Sequence, residues 1–156
     1  MSTLRPRLRP SRATARGRRF ILLASQFNRP MTLALIRGAT EVLRRSGAAS
    51  SAIRVVWVPG AFELPVAAAQ AVKRHPRPDA VLALGVLIRG QTPQYLVIAH
   101  AVAKGLIQVA VMSGIPVTFG VIVAETAAQA RARSGGAKGN RGEEAALAAM
   151  AMLRHP

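Results

Sequence analysis

The amino-acid sequence predicts one α/β domain, a three-layer α/β/α sandwich around a four-stranded parallel sheet. Three observations carry that expectation. Four short apolar runs alternate with segments whose apolar residues recur at helical spacing, and strand–helix alternation implies parallel strands joined by crossover helices. Hydrophobic residues make up 51% of the chain but aromatics only 4%, so Ala, Val, Leu and Ile must fill the core, as suits a sheet buried on both faces. A length of 156 residues fits one domain with one core.

The first apolar run, Arg19 to Ser25, is bounded by polar residues and reads as a buried strand. Leu33, Ile36, Ala39, Val42 and Leu43 then mark a helix over Pro30–Ser46, which Gly47 ends. Ile53–Val58 is a β-branched strand stopped by Pro59-Gly60. Phe62–Arg74 reads as a helix with Pro65 tolerated in its first turn, followed by a His75–Pro78 loop. Asp79–Ile88 is the third strand, Gln94–Ser113 a long helix closed by Gly114, and Pro116–Val123 the fourth strand. Glu125–Arg133 reads as a helix, then a Gly-rich turn leads into a last helix from about Gly142 to Leu153.

The chain has no Cys, which excludes disulfides and thiolate metal sites, and its three His are far apart. No metal is therefore expected. No apolar stretch is expected to span a bilayer, and Arg interrupts any signal-like segment at the N-terminus. These readings place the protein in the cytoplasm, away from membranes. The formal charge is +16, and residues 1–19 hold seven Arg and no acid, leaving +9 on the remainder. Residues 1–17 lack apolar periodicity and read as a flexible basic arm preceding a domain at 18–156. The arm's plain role is solubility. Its sharper role, binding nucleic acid, is opposed by the absence of interleaved aromatics.

Ligands of parallel α/β sheets bind beyond the C-terminal strand ends. Phe27 and Asn28 follow the first strand. Phe27 could stack on a flat ring or pack inward. Gly60, Ala61, Phe62 and Glu63 follow the second, where Glu63 could accept ligand hydroxyls or simply complement a helix dipole. Gly90, Gln91 and Thr92 follow the third and suit an anion cradle, although Thr92 could be only a helix cap. Arg133, Lys138 and Arg141 flank the late Gly-rich turn, either as a second phosphate site or as a solvated basic loop.

Taken in order, SQFN at 25–28, PGAFELP at 59–65, ALGVLIRGQT at 83–92, AKG at 103–105, GIPVTFGV at 114–121 and RSGGAKGNRGEEAA at 133–146 resemble the lumazine synthases of riboflavin biosynthesis. The resemblance runs from about Arg19 to Leu153. It implies a flavodoxin-like fold and a cofactor-free transferase that joins 5-amino-6-(ribitylamino)uracil to 3,4-dihydroxy-2-butanone 4-phosphate and releases inorganic phosphate. It also implies pentamers, sometimes packed as a sixty-subunit icosahedral shell, with each site between two subunits. Carried over by position, Phe27 stacks on the pyrimidine and Asn28 lines the pocket. Gly60, Ala61, Phe62 and Glu63 hold the ribityl chain, and Leu87 and Ile88 meet the ring edge through backbone. Gly90, Gln91 and Thr92 cradle the phosphate. Phe119 and Arg133 come from the neighbouring subunit.

Several positions depart from the family pattern. Gln94 stands where the family has its proton-transferring His, and an amide cannot exchange protons near neutral pH. Ala137 occupies the position of a phosphate-site Lys, with Lys138 next to it. Leu96, His100 and Ala101 replace polar residues usual in the long helix. Two readings follow: a working synthase with Gln94 and Arg133 at its catalytic centre and altered proton chemistry, or a diverged homologue that binds lumazine- or flavin-like rings or forms a shell.

Overall fold

A computed structural model describes residues 15–153. Most of the expected basic arm, residues 1–14, lies outside the described residues. The next three form a turn in which Ala15 is fully buried and its N–H donates to the Ser46 carbonyl at 3.1 Å, so packing reaches back to Ala15.

The main elements are β1 (Phe20–Ser25), α1 (Arg29–Arg45), β2 (Ile53–Val58), α2 (Leu64–Ala71), β3 (Ala80–Ile88), α3 (Gln94–Ser113), β4 (Val117–Ala124), α4 (Ala127–Arg133) and α5 (Arg141–Met152). The four strands form one parallel sheet in the order β2-β1-β3-β4. The chain leaves β1 towards β2 and then crosses to β3 on the other side, so the strand order reverses between β1 and β3. That reversal opens a crevice above their C-terminal ends.

Two-residue alternation along the strands builds two cores. Phe20, Leu22, Leu82, Leu84 and Val86 face α1 and α5, meeting Leu35, Leu43, Ala149 and Met150. Ile21, Leu23, Val81 and Ala83 face α2 and α3, meeting Leu64, Ala68, Val102 and Leu106. Both strands that flank the crevice are thus locked from above and below, and each fully buried Leu contributes about 1.5–3 kcal/mol relative to an exposed one.

The helix boundaries differ from the sequence expectation for local reasons. The second helix is shorter than 62–74. A 3₁₀ turn takes Ala61–Glu63, and α2 begins at Leu64 with Pro65 in its first turn. Pro76 and Pro78 follow its end, and a residue before proline is disfavoured in the helical region. The fourth helix starts two residues late because Thr126 caps it, its hydroxyl accepting the Gln129 N–H at 3.1 Å. The Gly-rich turn is a small hairpin, β5 (Ser134–Gly136) and β6 (Gly139–Asn140), with Gly135 and Gly139 at positive φ.

Asn140 then joins three elements. Its Oδ1 accepts the Gly142 and Glu143 N–H groups at 2.8 and 3.3 Å, and its Nδ2 donates to the Ala34 carbonyl of α1 at 3.0 Å. This cap pulls α5 against α1 so tightly that a Cβ on Gly142 would meet the Leu35 carbonyl, with its C and Cα atoms at 2.7 and 2.9 Å. Backbone cannot swing aside as a side chain can. Gly142→Ala is expected to cost about 1–3 kcal/mol through overpacking, read as a lower denaturant midpoint at constant slope.

The sequence expectation that no stretch could span a bilayer is corrected at α3, whose 20 residues and mean hydropathy of 1.7 satisfy both length and composition. Its place in the fold shows a different use. It is the crossover between adjacent parallel strands and packs on the sheet through Ala99, Val102 and Leu106. Its other side exposes Val97, Ile107, Val111 and Met112, an apolar face left uncovered in the single chain.

Candidate active site

The loop after β1 projects Phe27 into the crevice. The ring does not pack inward, being 70% exposed. Two contacts fix its base. Asn28 adopts the left-handed conformation (φ 55) at the head of α1, and its Nδ2 donates to the Val86 carbonyl of β3 at 3.0 Å. That bond spans the point where the strand order reverses. The Arg29 guanidinium then lies 4.1 Å from the ring centroid of Trp57 in β2, a cation–π contact that ties the loop to the other side. Neither Arg29 nor Trp57 drew attention in the sequence, because no spacing rule links residue 29 to residue 57.

The turn after β2 comes to the same place. A Cβ on Gly60 would lie 3.0 Å from the Glu63 Oε2 and 3.4 Å from the Phe27 Cδ2. Gly60 therefore floors a cradle with an aromatic ring on one side and a carboxylate on the other. Any larger residue would fill it. Ala61 is buried, and Phe62 is 61% exposed. Phe62 faces α3 across an apolar groove lined by Thr92, Gln94, Val97 and Ile98. Leu87 and Ile88 are half-buried at the end of β3, adjoining the Val86 that Asn28 holds.

Between β3 and α3 the segment 90–92 is exposed, and a Cβ on Gly90 would meet nothing within 4 Å. Thr92 is not the helix cap: Pro93 occupies the N-cap position, with no side-chain cap bond. The hydroxyl of Thr92 is thus not consumed by capping, and the first amides of α3 have no intrahelical acceptor. Gln94 is the first residue of α3 and is exposed beside them. His100 is exposed further along the same helix.

Phe119 and Arg133 lie together but elsewhere. They line a cavity of about 420 Å³ on the outer edge of β4, with Gln129 and Arg141. Phe119 pairs with Ala83, five residues before the strand's end and so roughly 16 Å down the strand from the crevice. Arg133 is held by two bonds, from Nη1 to the Lys138 carbonyl at 3.2 Å and from Nη2 to the Glu144 Oε2 at 3.3 Å. Arg141 reaches the same Glu144 oxygen at 2.8 Å. Sequence reasoning missed Glu144, which sits among the acids of the α5 N-terminus and there suggests only a dipole partner. Lys138 is exposed on the hairpin. Within one chain, then, the crevice gathers Phe27, Asn28, Gly60–Glu63, Leu87 and Ile88, with Gly90–Thr92 and Gln94 beside it, whereas Phe119, Arg133 and Lys138 form a second set.

Comparison with known proteins bears on what these two sets are for. The family profile described as 6,7-dimethyl-8-ribityllumazine synthase matches residues 17–156. The chain is 45% identical over 139 residues to a 6,7-dimethyl-8-ribityllumazine synthase of Aquifex aeolicus, covering 89% of this chain and 90% of that one. It is 44% identical over 137 residues to the synthase of that name from Gemmatimonas aurantiaca, covering 88% and 83% of the two. The corresponding protein of Thermus thermophilus is 41% identical over 141 residues, covering 90% and 89%. Match length and fold agree, and the chain belongs to the 6,7-dimethyl-8-ribityllumazine synthase family.

Proposed function

We propose that the protein is a working lumazine synthase, condensing 5-amino-6-(ribitylamino)uracil with 3,4-dihydroxy-2-butanone 4-phosphate in the cytoplasm, without cofactor or metal. The observation that carries this reading is the cradle at Gly60, where an exposed aromatic ring and a carboxylate from different strand ends converge. A flat ring bearing a polyol needs that pair. Phe27 stacks on the pyrimidine, the Glu63 carboxylate accepts ribityl hydroxyls, and Ala61 and Phe62 enclose the chain. Asn28 lines the pocket, and Leu87 and Ile88 meet the ring edge through backbone. Gly90, Gln91, Thr92 and the α3 N-terminus receive the phosphate.

The chemistry then follows from proximity. The ring amine attacks the ketone and water leaves to give an imine, inorganic phosphate is eliminated, and ring closure expels a second water. Holding both partners in one crevice replaces a bimolecular encounter. Positive charge and N–H donors at the phosphate stabilise the departing dianion. Incubation with both substrates should release one phosphate for each lumazine formed. Binding of ring ligands with no phosphate release would favour the diverged, non-catalytic homologue instead.

The neighbouring subunit supplies Phe119, Arg133 and Lys138. Two features support this. Phe119 sits roughly 16 Å down its strand from the crevice of its own chain, and α3 leaves an apolar face that another copy can cover. We expect pentamers at least, with an icosahedral shell compatible with the short GGAKGN turn at 135–140. Light scattering at micromolar concentration should report a mass of five subunits or more. A monomer alone would overturn both the assembly and the shared site.

A further inference from the structure

The pole of the subunit opposite the crevice carries a charge pattern that the synthase reaction does not use. At the N-terminal strand ends, Arg16, Arg18 and Arg19 precede β1, Arg44 and Arg45 end α1, Arg54 opens β2, and Lys73, Arg74 and Arg77 precede β3. All nine are exposed. Two acids share this pole among the described residues, and both are engaged. Asp79 is held by the Arg18 guanidinium at 2.9 Å and by the Arg19 N–H at 2.7 Å, and Glu41 faces Arg45 at 3.7 Å.

Three of the bases surround one hollow. Arg19, Arg54 and Arg74, from three separate segments, line a cavity of about 230 Å³ with His75 and no carboxylate. None of the three has an ion pair with a described residue. Like charges repel, so such a cluster is destabilising unless an anion fills it. The flanking bases continue the positive field past the cavity on both sides, more than one small anion requires. The aromatic residue nearest to it, Phe20, is buried, which leaves no ring on which bases could stack.

We propose that this pole binds the phosphate backbone of a nucleic-acid duplex without regard to sequence, with Arg19, Arg54 and Arg74 as its centre. The sequence expectation against nucleic acid concerned the N-terminal arm. The body supplies guanidinium groups from three separate segments around one cavity, and the sequence before Arg16 holds four further Arg at positions 5, 7, 9 and 12.

The test is fluorescence anisotropy of an arbitrary DNA duplex of about 20 base pairs with the full-length protein, at about 50–200 mM salt. Each phosphate contact contributes roughly 0.9 to the slope of log K against log salt. The variant R19A/R54A/R74A should therefore lose about two to three units of slope and bind at least about tenfold more weakly at the lowest salt. Its lumazine synthesis should be unchanged, which separates lost binding from lost folding or a wrong synthase assignment. R19K/R54K/R74K, which keeps the charge, should keep most of the slope. Replacing Arg5, Arg7, Arg9 and Arg12 by Ala should leave the contribution of the three central residues intact. An unchanged slope in the triple Ala variant overturns the proposal. So does failure of the wild type to bind the duplex at the lowest salt, or tighter binding to polyglutamate of equal charge.

Discussion

Arg133→Ala is expected to weaken use of the phosphorylated butanone by about 10- to 150-fold, the equivalent of one charge-assisted hydrogen bond of roughly 1.5–3 kcal/mol. Affinity for the ribitylaminouracil should stay within about twofold, since no part of that substrate carries a phosphate. The size of the effect rests on how Arg133 is held. A guanidinium has five N–H donors, and the structure commits two of them, one to the Lys138 carbonyl and one to Glu144. The side chain lines the cavity beside Phe119. Glu144 thus fixes the group, while Arg141 on the same oxygen keeps the local charge positive. Arg133→Lys should recover only part of the loss, because an ammonium cannot hold the Lys138 carbonyl, Glu144 and a phosphate in one plane. Measured with each substrate varied in turn, an equal loss for both would show Arg133 to be a strut of the hairpin instead.

The sheet and its strand ends were legible because they depend on local chemistry. Apolar runs such as Phe20–Ser25, Ile53–Val58 and Ala80–Ile88 end where Gln26, Pro59 and Arg89 change the polarity, so Phe27, Gly60 and Gly90 fall beyond strand ends on sequence alone. What was illegible depends on distance. Nothing in the pattern joins Asn28 to Val86, Arg29 to Trp57, Asn140 to Ala34 or Arg133 to Glu144, yet these bonds aim the loops. The β5–β6 hairpin looks like a plain turn in the sequence because its strands are too short to show alternation. The exposed face of α3 is hidden in the sequence for another reason. A helix apolar on both sides reads as simply buried, and only the packing of Ala99, Val102 and Leu106 on the sheet shows which side a single chain leaves open.

Gln94→His should raise turnover by about 10²-fold, the low end of what general acid–base catalysis supplies. The site is already arranged for it. Residue 94 opens α3 immediately after the proposed phosphate cradle and shares a groove with Thr92 and Phe62. Gln offers a donor and an acceptor there but takes no proton near neutral pH. The wild-type rate should accordingly lack a pH limb traceable to this position, and proximity and the reactivity of the two substrates carry the reaction. An imidazole would exchange protons during imine formation and phosphate loss, and its titration would add a limb. The groove's other lining, Phe62, Val97 and Ile98, is apolar. The same apolar lining, with Leu96 and Ala101 also apolar, keeps the gain near its lower bound. The measurement is a pH–rate profile of both proteins at saturating substrates. Equal turnover with superimposable profiles would mean that proton transfer is handled elsewhere, and the chemistry assigned to residue 94 would fall. A wild type and a His variant that are both inactive, while ring ligands still bind in the crevice, would leave the protein a binding member of its family.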